Sequence, residues 1–220
     1  MIEARHHMPR TTVLLADDHT VVAEGIRALL KDEFDLAETV HDGRTLVDRA
    51  AALRPDVIVT DVSMPRLNGL DAIRQIRALQ PDARIVVLTM HRDTELAVEA
   101  FRAGASGYML KISPGEELIT AIREVARGRA YVTTLLSKDL LSLLLEARGK
   151  PQSDGPRLTA RQREVLQLIA EGRTMKEVAT ALDISTRTAE SHKYDIMHGL
   201  GVTTTAELVQ YAMRIRLVSE

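Results

Sequence analysis

The sequence predicts an α/β domain with a parallel, doubly wound sheet, followed by a small domain made only of helices. Two features of the 220-residue chain predict this architecture. In the first part, short apolar runs alternate with amphipathic stretches, which is the pattern of a parallel sheet covered by helices. From residue 157 onward, strand patterns are absent and short helical patterns follow one another closely, which is typical of a helix-turn-helix unit.

Five apolar runs in the first part are predicted to form the sheet. They are continuously apolar rather than alternating, which suits strands that are buried on both faces. The strands are predicted at 12–16, 36–40, 57–60, 84–89 and 106–110. The helices between and after them are predicted at 20–31, 43–53, 69–79, 93–103 and 114–127. Ser113 is expected to cap the last of these helices, with Pro114 at its first position and Glu116 completing a capping box.

A sixth helical pattern, at 134–148, carries a leucine-rich face and leads out of the first part. The segment after it, GKPQSDGP at 149–156, is rich in Gly, Pro, Ser and Asp, as linkers are. We therefore place two domains at 11–130 and 157–220, joined by a helix and linker at 131–156.

The second domain is predicted to contain four short helices. Thr159 and Gln162 form a capping-box pattern at the start of the first helix. Further helices are predicted at 175–182, 186–199 and 204–216. Thr204 and Glu207 form the same pattern at the start of the last helix. Its face made of Leu208, Tyr211 and Ala212 is expected to pack either on its own core or on a second copy of the chain.

Composition narrows the class of protein. Hydrophobic residues make up 45% and charged residues 27%, as in ordinary globular proteins. The chain has no cysteine, which excludes disulfides and thiolate metal sites. No apolar run approaches the roughly 20 residues of a membrane-spanning helix, and the first residues lack a signal-peptide core. We expect a cytoplasmic protein that does not associate with membranes. The net charge of −2 is well short of a strongly basic nucleic-acid-binding chain.

Three carboxylates follow predicted strands. Asp17 and Asp18 come directly after the first strand, and Asp61 comes directly after the third. The carboxyl ends of parallel strands meet at one edge of a sheet, where ligands bind. Carboxylates brought together repel one another unless a cation lies among them. A hard divalent ion such as Mg²⁺, which takes oxygen ligands, would satisfy that requirement.

A hydroxyl and an amine are expected at the same edge. Thr89 ends the fourth predicted strand and Lys111 follows the fifth. With the carboxylates they could form a pocket for a transferring phosphoryl group. Each residue also has a structural alternative: Asp17 and Asp18 could cap the helix from residue 20, and Asp61 could be a turn residue. Their joint placement at four strand ends favours the functional interpretation.

These residues together resemble the receiver domain of two-component response regulators. The resemblance covers about residues 11–130 and rests on Asp17-Asp18, Asp61 with Met64-Pro65 and Gly69, Thr89, Tyr108 and Lys111. It implies a flavodoxin-like fold, with Asp61 as the phosphoacceptor for a sensor histidine kinase.

The resemblance also implies a role for each site residue. Asp17, Asp18, Asp61 and the backbone carbonyl of Ser63 would hold Mg²⁺. Lys111 would pair with the phosphoryl oxygens. Thr89 would move its hydroxyl onto the phosphoryl group, and Tyr108 would turn inward behind it, which is a two-state packing change.

The stretch from Leu158 to Val202 resembles the LuxR-type helix-turn-helix of the NarL/FixJ subfamily. The helix from Thr186 would be the recognition helix. Glu190, Ser191 and Tyr194 would face the major groove. Phosphate contacts would come from Lys176, Arg187 and Lys193. For Glu190 and Lys193, a solvated helix face is the alternative.

The two resemblances therefore imply a transcription regulator that binds double-stranded DNA under the control of phosphorylation and is not an enzyme in the turnover sense. Cations near the DNA are few, so we expect two copies to pair on phosphorylation. One alternative is a constitutive DNA binder with a receiver that is not phosphorylated. Another is a Mg²⁺-dependent phosphatase, although such an enzyme would want an acid at the position of Ser63.

Overall fold

The computed structural model describes residues 10–146 and 158–218, without the side chains of 141–146. The linker predicted at 149–156 lies outside the described residues. On the leucine-rich face of the preceding helix, the side chains of Leu141, Leu144 and Leu145 also lie outside what the structure describes.

A parallel sheet forms the centre of the first domain. Its strands are β1 (Thr12–Ala16), β2 (Asp35–Val40), β3 (Val57–Thr60), β4 (Ile85–Thr89), β5 (Gly107–Leu110) and β6 (Tyr131–Val132). Their order in the sheet is β2-β1-β3-β4-β5-β6. The predicted doubly wound α/β fold class is confirmed, and all five predicted strands are present. Among the described residues the sheet nevertheless has six strands, because β6 pairs with β5. Two residues are too few to carry a strand pattern in the sequence.

Helices cover both faces of this sheet. They are α1 (Thr20–Leu30), α2 (Gly43–Leu53), α3 (Gly69–Leu79), α4 (Thr94–Ala103) and α5 (Gly115–Ala126), followed by α6 (Thr134–Glu146). Successive strand residues point to opposite faces. In β4, Val87 packs into the core beneath α2, α3 and α4, whereas Val86 packs into the core beneath α1 and α5. Both are fully buried, and each such side chain contributes about 1.5–3 kcal/mol.

The predicted cap of α5 is wrong. The N-cap residue is Pro114, which has no side chain able to cap, and the Ser113 hydroxyl lies 3.0 Å from that of Thr133 instead. One carboxylate oxygen of Glu117 accepts bonds from the Tyr131 hydroxyl, the Thr133 hydroxyl and the Thr134 amide. Ser113 therefore belongs to a network that fixes β6 and the start of α6 against α5.

The second domain contains α7 (Ala160–Ala170), α8 (Met175–Ala181), α9 (Thr186–Leu200) and α10 (Thr205–Arg214). Capping boxes are present at Thr159 with Gln162 and at Thr204 with Glu207, as predicted. A third, which the prediction missed, joins Thr174 to Glu177. Such caps satisfy amide groups that the first turn of a helix leaves without partners.

The last helix packs on its own domain. Leu208 and Ala212 are fully buried in the core that α7, α8 and α9 share, and Tyr211 packs against that core. This decides between the two alternatives for that face in favour of the chain's own core.

Candidate functional site

The strand order brings the predicted carboxylates together. In the sheet, β1 lies directly beside β3, with Ala16 paired to Thr60 at their ends. Asp17 directly follows Ala16, and Asp61 directly follows Thr60. The Asp61 amide donates to Ala16 O at 2.9 Å, which extends the ladder by one residue. Parallel pairing therefore fixes the two carboxylates as neighbours.

The carboxylates form a compact cluster. Ligand atoms of Asp17, Asp18, His19 and Asp61 all lie within 4.8 Å of one another. Asp17 and Asp61 are buried, whereas the side chain of Asp18 is 33% exposed. The cluster therefore combines two buried acids with one acid that reaches the surface.

Lys111 supplies a cation to this cluster. Its ammonium nitrogen lies 2.7 Å from Asp61 Oδ2 and 2.7 Å from Asp17 Oδ2. Burial lowers the pKa of Lys111, but the two carboxylates outweigh burial, so the pKa is raised above its ordinary value and the ammonium keeps its charge.

The environment of Asp61 opposes its ionisation when no further cation is present. Burial raises the pKa of Asp61, Lys111 lowers it and Asp17 raises it, with a net increase. Asp61 Oδ1 accepts a bond of 2.6 Å from the Val62 amide, and the Ser63 amide lies 3.4 Å from it. An additional cation would favour the ionised carboxylate.

Asp17 and Asp18 do not cap α1. The N-cap residue is His19, which makes no capping bond with its side chain. Asp17 Oδ1 accepts from the His19 amide at 2.9 Å, and Asp18 Oδ1 lies 2.8 Å from His19 Nδ1. The alternative interpretation, in which these two acids cap the helix, is therefore wrong.

The donor set suits a hard cation. Three carboxylates offer oxygen ligands within one cluster, and the exposed position of Asp18 leaves room for the waters that Mg²⁺ keeps. His19 adds a nitrogen, but it already lies at hydrogen-bonding distance from Asp18. The described residues therefore provide a cluster that can hold a metal ion.

The two predicted switch residues meet at His91. Thr89 is buried, and its hydroxyl accepts from the His91 amide at 3.3 Å. Tyr108 is also buried, and its hydroxyl donates to the His91 carbonyl at 3.0 Å. The His91 ring lies 3.3 Å from the Ser63 hydroxyl across the pocket. Tyr108 is thus already buried, with its hydroxyl bonded to His91. A change of its rotamer therefore has to break that bond.

Gly69 explains the spacing of the loop after Asp61. A Cβ at this position would lie 2.0 Å from the Asp61 backbone oxygen. The Gly69 amide donates to Val62 O at 2.8 Å, which closes the loop onto its own start. Asn68 caps α3 through a bond from the Asp71 amide. The loop is therefore a tight turn that brings the Asp61 backbone against the first residue of α3. It leaves no space for a side chain at residue 69.

The predicted DNA-contacting residues lie on α8 and α9. Ser185 caps α9 through a bond from the Thr188 amide. Lys176, on α8, is exposed, and on α9 Arg187, Glu190 and Ser191 are exposed, Tyr194 is 69% exposed and Lys193 is partly buried. The ring of His198 stacks on that of Tyr194 with centroids 6.3 Å apart. The sequence prediction missed His198, although its spacing of four residues from Tyr194 places both on one face.

No helix in the described part of the chain has the length and apolar character needed to cross a membrane.

Comparison with known proteins agrees with both halves of this description. Residues 13–123 match the family model of the response regulator receiver domain, and residues 156–212 match that of bacterial regulatory proteins of the luxR family. The transcriptional regulatory protein MctR of Rhizobium johnstonii is 37% identical over 96% of this chain and 97% of its own length. The oxygen regulatory protein NreC of Staphylococcus carnosus is 37% identical over 94% of this chain and 98% of its own.

Solved structures are similar over nearly the full length. A structure of the RcsB response regulator of Salmonella typhimurium is 29% identical, with a TM-score of 0.61, and covers 94% of this chain and 99% of its own. RcsB has also been solved as two dimers bound to two parallel DNAs. The chain belongs to the two-component response regulators that regulate transcription and join a receiver domain to a LuxR-type DNA-binding domain.

Proposed function

We propose that Asp61 accepts a phosphoryl group from a sensor histidine kinase while Asp17, Asp18, Asp61 and the backbone carbonyl of Ser63 hold Mg²⁺, and that this modification controls the binding of double-stranded DNA by α8 and α9. The convergence of three carboxylates and the Lys111 ammonium at one sheet edge carries the proposal. Burying two acids with one lysine costs desolvation energy, and such groups cluster at functional sites.

The chemistry assigned to Asp61 is a displacement at phosphorus. A carboxylate oxygen of Asp61 forms a bond to phosphorus as the bond from phosphorus to the donor histidine nitrogen breaks. The nitrogen keeps the electron pair of the broken bond. Mg²⁺, when bound, supplies positive charge against the repulsion between the carboxylate and the phosphoryl oxygens. Lys111 is already in place to pair with a phosphoryl oxygen.

The effect of phosphorylation on DNA binding is transmitted through the loop after β4. The new phosphoryl oxygens offer acceptors for the Thr89 hydroxyl, which at present accepts from the His91 amide. Movement of Thr89 would disturb His91 and thereby the bond that Tyr108 makes to the same residue. Since RcsB binds DNA as dimers, we propose that two phosphorylated copies of this chain pair on DNA, with their recognition helices in adjacent half-sites.

The test is labelling with a phosphodonor in Mg²⁺, followed by DNA binding. We expect the wild-type chain to be labelled and to bind its operator more tightly afterwards, and Asp61→Asn to show neither effect. Asp48→Asn, on α2, is the matched control and should behave as wild type. Equal DNA affinity before and after labelling would indicate a constitutive binder. Continuous release of phosphate from small esters would indicate a phosphatase.

A further inference from the structure

His19 turns its side chain toward the carboxylate cluster instead of capping the helix that it begins. It is the N-cap residue of α1 and has an extended backbone, but its side chain makes no capping hydrogen bond. N-cap residues are commonly Ser, Thr, Asp or Asn, because their oxygens accept a bond from the first turn and stabilise the helix. The imidazole ring of His19 instead lies beside Asp17 and Asp18. The sequence thus forgoes a stabilising cap at a position where an imidazole meets two acids.

The distances around this ring are those between neighbouring ligands of one metal ion. His19 Nδ1 lies 2.8 Å from Asp18 Oδ1 and 3.5 Å from Asp17 Oδ1. In an octahedral site with bonds of about 2.1 Å, neighbouring ligand atoms are about 3 Å apart. One ligand atom from each of Asp17, Asp18, His19 and Asp61 lies within 4.8 Å of all the others. Small shifts of these side chains therefore allow one ion to reach the imidazole nitrogen and the three carboxylates.

Lys111 and His19 lie beside different oxygens of Asp17. The Lys111 ammonium lies 2.7 Å from Asp17 Oδ2, whereas His19 Nδ1 lies 3.5 Å from Asp17 Oδ1. An ion that binds Asp17 Oδ1 beside the imidazole does not have to displace the ammonium from Asp17. The side chains of His19 and Asp18 are 65% and 33% exposed, so waters can complete the shell of such an ion.

The loop that carries these residues is held by the end of β2. The Asp17 amide donates to Val40 O at 3.0 Å, and His41 Nδ1 lies 2.7 Å from Asp17 O. Neither contact involves the His19 ring. The ring nitrogen can therefore exchange its contact with Asp18 for a bond to an ion while the backbone stays in place, as a preorganised metal site requires.

We propose that His19 Nδ1 is a ligand of the metal ion, and that it makes the cluster a mixed nitrogen and oxygen site that takes transition ions such as Mn²⁺ and Ni²⁺ as well as Mg²⁺. This inference rests on the proposed metal site at Asp17, Asp18 and Asp61. Mg²⁺ prefers oxygen ligands. Imidazole nitrogen suits transition ions, whose affinities for such sites rise from Mn²⁺ to Ni²⁺.

Binding of the ion requires the lone pair of Nδ1. The short contact with Asp18 Oδ1 requires a proton on this nitrogen, because a carboxylate oxygen only accepts hydrogen bonds. When the ion binds, Nδ1 gives up that proton to solvent, and Nε2 carries the proton of the neutral ring.

An ion pair with Asp18 is the other role open to the ring. In that role the ring balances the charge of one acid, and an arriving ion displaces it. The two roles differ in whether the imidazole nitrogen enters the coordination shell of the ion, which spectroscopy measures directly.

The first readout is electron spin echo envelope modulation of Mn²⁺ bound to the full chain. His6 and His7 are replaced by Gln in every sample, so that they supply no imidazole. We expect modulation from a nitrogen coordinated to Mn²⁺. The pattern should change when the chain carries ¹⁵N-labelled histidine, and the modulation should be lost in His19→Gln. His192→Gln, on α9 in the other domain, is the matched control and should keep the modulation.

The second readout is the affinity for Mg²⁺ and for Ni²⁺, measured by titration calorimetry. His19→Gln should leave the Mg²⁺ affinity nearly unchanged. It should weaken Ni²⁺ binding by at least about tenfold, since loss of even a supporting residue costs a metal site that much. Asp18→Asn should weaken both ions, because it removes a ligand that they share. His192→Gln should bind both ions as the parent chain does.

The outcomes separate this inference from the proposed function. Binding of Mn²⁺ without modulation from a coordinated nitrogen would overturn the inference and leave the ring as an ion-pair partner of Asp18. Equal losses of Mg²⁺ and Ni²⁺ affinity in His19→Gln would overturn it as well. If neither Mg²⁺ nor Mn²⁺ binds, or if Asp18→Asn binds both as tightly as the parent chain, the proposed metal site itself is wrong.

Discussion

The ammonium nitrogen of Lys111 lies 2.7 Å from Asp61 Oδ2, and both side chains are almost completely buried. A second buried acid, Asp17, is at the same distance from the same nitrogen. Removing charges from water costs several kcal/mol for each ion, which only close pairing offsets. The pair thus keeps the Asp61 carboxylate buried beside a positive charge, where a further cation and a phosphoryl group can bind to it.

Replacement of this lysine should make the fold depend on a metal ion. Lys111→Met leaves two buried carboxylates without their cation, so we expect the free energy of unfolding to fall by about 3–5 kcal/mol without metal. Mg²⁺ should stabilise the variant more than the wild type, because the ion replaces the missing charge. Urea unfolding followed by circular dichroism, with and without Mg²⁺, measures both effects.

Lys31→Met, at an exposed position, is the control and should respond to Mg²⁺ as the wild type does. Adding Asp18→Asn to Lys111→Met should remove most of the extra stabilisation by Mg²⁺. An equal Mg²⁺ effect in wild type and Lys111→Met would show that the ion does not bind among these carboxylates.

The close approach at Gly69 predicts a steric effect. In Gly69→Ala, the new methyl group would meet the Asp61 backbone oxygen at 2.0 Å, so the loop has to shift. We expect a loss of about 1–3 kcal/mol in unfolding free energy, as for overpacked cores, together with slower labelling of Asp61. Gly25→Ala is the matched control, because a Cβ there would meet no atom within 4 Å outside the backbone of its own helix. A gain of about 0.5–1 kcal/mol is expected there, since Gly25 lies inside α1. Equal stability of the two variants would contradict this description of the loop.

The bond between the Thr89 hydroxyl and the His91 amide predicts that labelling of Asp61 can be separated from its effect on DNA affinity. Thr89→Ala keeps all the carboxylates and Lys111, so we expect labelling of Asp61 to continue. The gain in DNA affinity on labelling should largely disappear, because no hydroxyl moves onto the phosphoryl group. Thr89→Ser, which keeps the hydroxyl, should retain the gain. Gel shifts with labelled and unlabelled chain measure this, and a full gain in Thr89→Ala would exclude the switch.

The exposed residues of α9 predict two kinds of DNA-binding defect. Arg187→Ala should weaken binding about equally on all sequences and reduce the salt dependence by roughly one phosphate contact. Glu190→Gln should relax the preference at one base position, at a cost of about 1–3 kcal/mol on the preferred sequence. Fluorescence anisotropy at several salt concentrations, with specific and scrambled duplexes, distinguishes them. If Glu190→Gln is unchanged on both duplexes, the solvated helix face is the correct interpretation of this residue.

The sequence predicted the parts of the fold that depend on local patterns. Continuous apolar runs identified β1 and β3, and parallel pairing then required Asp17 and Asp61 to meet. Capping boxes at Thr159 and Thr204 were visible because their two partners are three residues apart. These predictions succeeded because the interacting residues are close in the chain or follow from strand order.

Other features depend on contacts between distant segments and could not be predicted in this way. Ser113 has the sequence of a helix cap, yet it joins a network around Glu117 that β6 and α6 complete. Gln167 occupies an ordinary position of a surface helix, and only the packing of the two domains buries it against Asn68. The convergence of Thr89 and Tyr108 on His91 likewise needs the fold of the loop after β4.

The most direct test of the central claim is the position of the modified residue. The chain is incubated with a phosphodonor and Mg²⁺, reduced with borohydride, which converts an aspartyl phosphate to homoserine, and sequenced by mass spectrometry. We predict homoserine at residue 61 and at no other aspartate, and none when Mg²⁺ is omitted. Homoserine at Asp17 or Asp18, or unmodified Asp61 after labelling of the chain, would contradict the account.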